Sequence, residues 1–275
     1  MICAWKELVG ILPGWMALDV DRLGNKSLQE LRLRLGFPPE LVLDDRIIPL
    51  QRPVKGEDLN YIINISSRYS PWTAQTIASG YLTAAGGHRI GICGEAVVKE
   101  GVVTGIRNIT SLCIRIARDF PGIAEQAARK TGSVLLIGPP GSGKTTLLRD
   151  LIRQIARREP VSVVDERGEI FPEQWEKPPG VDVLTGSPKN MGISMVLRNM
   201  SPRTIAVDEI TDAGDCKALI MAGWCGVRLI ATAHAASVKD LMQRPVYQPM
   251  ISNHLFNDVL VLSRDKTWRE ERLMI

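Results

Sequence analysis

From residue 134 onward the chain alternates short, almost wholly apolar runs with longer amphipathic stretches. The runs at 134–137, 161–164, 205–207 and 227–233 hold few polar residues, the pattern of strands buried on both faces. After the first run, TTLLRDLIRQIARRE places Leu147, Leu148, Leu151, Ile152 and Ile155 on one helical face. Strand, loop, helix and strand in this order predict a doubly covered, mostly parallel sheet.

The first half has a different texture. Residues 1–27 read as helical and loosely amphipathic, with Trp5, Leu8, Val9 and Leu12 on one face before Pro13 and Gly14 interrupt; such a segment either covers its own domain or docks on a partner. From residue 31 the period falls to two. Leu31, Leu33 and Leu35 alternate with Arg32 and Arg34, and after Gly36-Phe37-Pro38-Pro39 the run Leu41-Val42-Leu43 meets Asp44-Asp45, which predicts strand, turn, strand. Residues 57–67 and 71–82 read as helices, the second with Ser70 as N-cap and Pro71 in the first helical position. Short β-branched runs at 89–98, 102–104 and 112–117, with Lys99-Glu100-Gly101 as a turn, complete a small α+β domain. Asp119-Phe120-Pro121-Gly122 ends that pattern, and a short polar helix through Lys130 forms a link. The expected division is a helical segment at 1–27, an α+β domain at 28–118, a linker at 119–132 and the sheet-and-helix domain at 133–275.

Composition narrows the classes. A chain of 275 residues, 45% hydrophobic, holds two modest cores. Its 24 Gly and 17 Pro follow no period and form no tract, which excludes a fibrous repeat. The net charge of +4 fits weak attraction to anionic lipid or nucleic acid and demands neither. Aromatic residues make up 5% and do not interleave with a Lys/Arg cluster, so the stacking platform of a dedicated single-strand binder is missing and nucleic acid is not the expected partner. The five cysteines have no metal spacing and read as thiols of a reducing compartment. No apolar run approaches the roughly 18 residues of a membrane span, and the start lacks the pattern of a signal peptide. The expectation is a cytoplasmic protein that reaches a membrane only through partners.

The chemistry concentrates behind the first apolar run. Gly138-Pro139-Pro140-Gly141-Ser142-Gly143-Lys144-Thr145 stands between a strand and a helix and has the full spacing of a P-loop. Gly141 and Gly143 let the backbone wrap phosphate oxygens, and the amides of Gly143, Lys144 and Thr145, followed by Thr146, point at them from a helix amino end. Pro139 and Pro140 donate no such bond and stiffen the entry. Lys144 is expected to reach the β and γ phosphates, and Thr145 to ligate Mg2+.

Hydrolysis also needs carboxylates. Asp208 and Glu209 follow an apolar strand, at the sheet edge where the phosphate loop must lie; Asp208 is assigned to Mg2+ and Glu209 to the attacking water. Asp165-Glu166-Arg167 follows another strand to the same edge. Glu166 there either supplies a second polarising group or simply pairs with Arg167. His234, just past the last run, is either a sensor of the γ phosphate or a structural strand-end histidine.

These residues resemble the ATPases of type II and type IV secretion systems and pilus motors. The stretch LRNMSPRTIAVDEITD at 197–212 looks like their arginine-rich approach to the Walker B strand, and the order P-loop, Asp165-Glu166, Asp208-Glu209, Thr232-Ala233-His234-Ala235 looks like their Walker A, Asp box, Walker B and His box. LRLRLGFPPEL, GYLTAAGGHRIGICGEAV, SLCIRIARDFPG, GPPGSGKTTLLRDL, VVDERGEI and SPRTIAVDEI are similar to blocks of the stage III sporulation protein AA family, and together reach across residues 28–262. The resemblance implies a RecA-like P-loop core preceded by a PAS-like α+β domain. It also implies ATP as nucleotide, a homo-hexamer, and integral membrane proteins of a channel between mother cell and forespore as partners. Two departures stand out: the four-cysteine zinc module of some type II enzymes is missing, as in the sporulation branch, and residues 263–275 lack the expected Gly-rich hairpin. In ring motors an arginine completes the site from a neighbour or from the first domain; Arg115, Arg118, Arg167 and Arg198 are the candidates. A nucleic-acid translocase and an ATP-binding assembly scaffold are the alternatives that the same core allows.

Overall fold

The computed structural model describes residues 3–24, 28–43, 46–67, 77–172 and 175–273. By contact the chain separates into two compact units. One comprises Met1–Asp119 with Pro172–Trp175, the other Phe120–Phe171 with Glu176–Ile275.

In the first unit α1 (Trp5–Gly10) and α2 (Gly14–Leu23) are separated at Pro13, which has no amide hydrogen to continue a helix. Leu8, Met16 and Val20 join the core of this unit. Its strands are β1 (Leu28–Arg34), β2 (Glu40–Leu43), β3 (Ile47–Pro49), β4 (Tyr81–Thr83), β5 (Arg89–Lys99) and β6 (Val102–Arg115). Every pairing among them is antiparallel, in the order β3-β2-β1-β6-β5-β4. Helix α3 (Gly56–Ser67) buries Leu59 and Ile62 against Leu31, Leu33, Ile90 and Ile114.

Three sequence readings change here. Leu35 does not extend the buried row: β1 ends at Arg34 and Leu35 is 44% exposed. Residues 102–115 form one strand instead of two, making a long ribbon with β5 that shifts register between Cys93 and Glu95. Of the helix read at 71–82, residues 71–76, Pro71 among them, lie outside the described residues together with the Ser70 cap, Ile77 and Ala78 are helical, and the last two residues open β4.

Pro172 and Trp175 belong to this unit although their chain neighbours belong to the other. The Trp175 indole N–H donates to the Gly86 carbonyl at 2.9 Å, and Pro172 lies against Gly87.

In the second unit, the region read as a polar helix up to Lys130 is a set of turns with a 3-10 turn at Ala127–Arg129, and it buries Ala124, Ala127 and Ala128. The sheet is built from β7 (Val134–Ile137), β8 (Val161–Asp165), β9 (Val181–Thr185), β10 (Thr204–Val207), β11 (Arg228–Ala233), β12 (Asp258–Leu262) and β13 (Trp268–Glu271). Among the described residues its order is β13-β12-β7-β11-β10-β8-β9, parallel throughout except for β13. Side chains alternate across it as a strand period of two requires. Val134, Leu136, Ala206 and Ile230 face α4 (Lys144–Ile155), which brings Leu147, Leu148, Leu151 and Ile152. Leu135, Ile137, Val207 and Ala231 face α5 (Lys189–Asn199) and α6 (Ala213–Trp224), with α7 (Val238–Gln243) and α8 (Gln248–Ser252) on the same side. This is the doubly covered, mostly parallel sheet that the apolar runs predict.

The carboxyl end reaches its edge without glycine. β13 pairs with β12 through a turn in which Lys266 takes a φ of 68°. Among the described residues no helix is long and apolar enough to cross a membrane.

Ile114 is fully buried on β6, whereas Val98 at the ribbon tip is 58% exposed. Ile114→Ala is expected to cost about 2–5 kcal/mol in urea denaturation, and Val98→Thr less than about 0.5 kcal/mol. Equal costs at the two positions would contradict the burial described for this unit.

Candidate nucleotide site

The carboxyl ends of β7, β8, β10 and β11 lie side by side, and the loops that leave them form one edge. In a parallel sheet that edge is where ligands bind. The loop 138–143 runs from β7 into α4, with Gly143 at the N-cap in a left-handed conformation, φ 94°. At Gly138 a Cβ would stand 2.6 Å from Ser142 Oγ and 2.7 Å from the Leu262 carbonyl oxygen, so only glycine fits there. The first-turn amides of α4 have no intrahelical acceptor, which leaves a helix amino end suited to an anion. Thr146 is half-buried in that turn. Ser142 Oγ is buried with no hydrogen-bond partner, a polar atom left for a ligand.

Lys144 is buried and curls back on the loop. Its ammonium donates to the carbonyls of Gly138 (2.9 Å) and Pro139 (3.1 Å). Burial holds its pKa below the usual lysine value, opposed by the charges of Asp208 and Glu209. His234 Nδ1 lies 3.2 Å from this ammonium, and His234 Nε2 lies 3.1 Å from Glu209 Oε1. An ammonium only donates, so Nδ1 accepts and the ring proton sits on Nε2, where it donates to Glu209. The histidine thus bridges the P-loop lysine and the second acid of the pair, a link that the sequence left open.

Asp208 is held at both oxygens. Thr145 Oγ1 donates to Oδ2 at 2.9 Å and Thr232 Oγ1 to Oδ1 at 2.5 Å. The parallel register explains the second bond: Val207 is level with Ala231, so Asp208, the first residue past β10, comes beside Thr232, which is still within β11. Glu209 turns sharply, with φ 46°, a conformation that costs about 1–3 kcal/mol in a non-glycine residue. Its amide donates to the same Thr232 hydroxyl at 2.7 Å. Thr232 stood in the sequence only as part of the His-box motif, and its position two residues before His234 on the neighbouring strand was the available signal.

The Asp165-Glu166-Arg167 stretch divides into separate jobs. Asp165, 1% exposed, accepts from the amides of Glu169 (2.8 Å), Ile170 (2.9 Å) and Phe171 (2.9 Å) and so shapes its own loop. Buried Arg149 of α4 clamps that loop by donating to the Ile170 and Glu169 carbonyls. Glu166 faces a cleft lined also by Arg167, Glu169, Lys189, Asp208 and Glu209. The reading that paired Glu166 with Arg167 gives way to two crossed pairs. Glu166 Oε2 meets Lys189 Nζ at 2.5 Å, and Arg167 Nη1 lies 3.7 Å from Glu209 Oε2. Lys189 escaped the sequence reading because no motif marks it. Of the other arginines, Arg198 is exposed on α5, while Arg115 and Arg118 are held in the first unit by Glu30 (3.8 Å) and the Leu28 carbonyl (2.6 Å).

Fold and site define a class: a P-loop protein with the architecture of secretion-system and pilus ATPases. The Legionella pneumophila ATPase DotB matches with a TM-score of 0.61 at 19% identity, over 95% of this chain and 80% of its own. The ADP-bound pilus retraction motor PilT matches at 0.59 and 15%, over 95% and 78%. Within that class the chain belongs to the sporulation stage III protein AA family, whose model matches residues 14–272. Stage III sporulation protein AA of Bacillus subtilis is 36% identical over 94% of this chain and 91% of its own length.

Burial pushes the Asp165 carboxyl up to about 6, against the Phe171 and Ile170 amides and with the charge of Asp208 adding to the rise. A carboxyl whose pKa is higher folded than unfolded makes the native state bind more protons. Its stabilising contribution is therefore full below about pH 4 and lost as the pH rises through about 6, by roughly 3 kcal/mol in total. Asp165→Asn should flatten this fall in urea-denaturation stability across the same window; an unchanged slope would mean that Asp165 does not titrate there.

Proposed function

We propose that the chain is a Mg2+-dependent ATPase of the secretion-motor type, acting as a homo-hexamer against integral membrane proteins. Its work, in this reading, is the assembly of, or transport through, a channel between mother cell and forespore, from the cytoplasmic, mother-cell side of the membrane. The family relationship supports the setting. The observation that carries the chemistry is the Thr145–Asp208 hydrogen bond at 2.9 Å, beside a Glu209 held by His234 and Arg167.

The residues fit Mg2+ and a triphosphate. A hydroxyl and a carboxylate converge beside a helix amino end, an orphaned Ser142 hydroxyl and a buried ammonium. Bound ATP would supply the phosphoanhydride whose cleavage drives the cycle. Thr145 Oγ1 and Asp208 Oδ2 are the oxygens available to the metal. Lys144 exchanges the Gly138 and Pro139 carbonyls for phosphate oxygens, which are better acceptors for its charge. Glu209, kept beside the phosphate loop by its turned backbone, orients water and takes its proton on a carboxylate oxygen. Glu166 is the second polarising carboxylate on the opposite wall. The Lys144–His234–Glu209 chain makes His234 the residue that registers phosphate occupancy, because moving the lysine removes the acceptor's partner at Nδ1.

Lys144→Ala is expected to abolish both ATP binding and phosphate release. Glu209→Gln should keep ATP binding and lower turnover by about a hundredfold or more. Mass measurement of the same samples with nucleotide reads the ring size. Wild-type phosphate release no greater than that of Lys144→Ala would rule out the ATPase reading, and equal turnover in Glu209→Gln would remove that residue from water activation.

A further inference from the structure

Lys189 is the first residue of α5, behind Pro188, and its side chain is 6% exposed. Its ammonium lies 2.5 Å from Glu166 Oε2 and 4.0 Å from Asp215 Oδ2. Two costs attach to a lysine there. Taking an ammonium out of water forfeits several kcal/mol of hydration before any pairing is counted, and the first turn of a helix presents a partial positive charge that disfavours a cation. A leucine or methionine would fill similar volume and incur neither cost. What the ammonium alone supplies is a hold on carboxylates.

The two carboxylates come from different elements. Glu166 follows β8, whereas Asp215 lies in the first turn of α6 and accepts from the Thr211 amide (3.1 Å) and the Thr211 hydroxyl (3.2 Å). Thr211 lies two residues after Glu209. Lys189 therefore joins the loop that carries Glu166 to the loop that carries Glu209. Without it, Glu166 would stand among Asp165, Glu169, Asp208 and Glu209 with like charges on several sides, and its side chain, 39% exposed, has a route into water.

We propose that Lys189 is a positioning residue of the hydrolytic site: a buried cation whose ion pair holds Glu166 against the cleft wall and fixes its place relative to the Glu209 loop. This rests on the reading of Glu166 and Glu209 as the working carboxylates. Lys189 acts through Glu166 and carries no share of nucleotide affinity.

The test compares steady-state ATP turnover and equilibrium binding of a fluorescent ATP analogue in wild type, Lys189→Met, Lys189→Arg, Glu166→Gln and the Lys189→Met/Glu166→Gln double variant. The expected result is a kcat loss of at least about tenfold in Lys189→Met with the analogue's Kd within about threefold, and recovery of most of that loss in Lys189→Arg. In the Glu166→Gln background the same Lys189→Met change should cost less than about threefold, since its target is already gone. Where Lys189→Met lacks wild-type cooperative unfolding, Lys189→Gln gives the same comparison, its amide keeping a hydrogen bond to Glu166 without the charge. A neutral variant with wild-type kcat, or an equal loss in both backgrounds, overturns the proposal and leaves the ATPase reading intact. A wild type with no turnover above Lys144→Ala overturns both.

Discussion

Two threonine hydroxyls, Thr145 at the start of the P-loop helix and Thr232 at the end of β11, each donate to one oxygen of Asp208. Few contacts in the chain join so much. Through them three separate elements meet at one carboxylate: the helix that follows β7, the end of β10 and the end of its parallel neighbour. The parallel register sets the meeting point, because Val207 is level with Ala231 and Asp208 therefore leaves β10 beside Thr232. The tight turn at Glu209 follows, since its amide must reach the same Thr232 hydroxyl. His234, two residues further along β11's path, then falls between Lys144 and Glu209.

Around that centre, neighbouring acids meet opposite fates. Asp165 turns inward, where three amides hold it and burial raises its pKa to about 6. Glu166, the next residue, turns outward to Lys189. The alternation of a strand end is enough to separate them, since adjacent side chains leave on opposite sides. One carboxyl therefore shapes a loop and the other lines the cleft. Arg167 continues the pattern by crossing to Glu209, so Glu166 and Glu209 each face a different cation.

What the sequence made legible was whatever is encoded in contiguous residues. The loop 138–145 specifies its backbone within eight positions, and the runs feeding β7, β8, β10 and β11 are apolar enough to announce a sheet covered on both faces. β12 was missed because an apolar run as short as that at 259–262 reads equally as buried helix, and β9 because its edge position leaves Asp182 and Thr185 exposed and breaks the run. The middle of β6 was read as loop. Its Thr104, Gly105, Arg107 and Asn108 lie in a two-stranded ribbon whose faces are largely exposed, so no alternation is demanded of them. Within the site, Lys144, Thr145, Asp208 and Glu209 were legible from spacing. Lys189, Thr232 and Arg149 were not, because their roles arise from partners brought close by register and packing across 23, 24 and 20 to 21 residues of chain.

The short insert Pro172–Trp175 means that neither unit is a continuous stretch of chain. A fragment cut at the obvious boundary near Asp119 would carry away Gly86 and Gly87 while leaving behind the indole and the proline that cover them. Gene dissection into amino- and carboxyl-terminal halves therefore yields an incomplete piece on each side: one without its clasp, the other with an apolar tryptophan that has lost its seat.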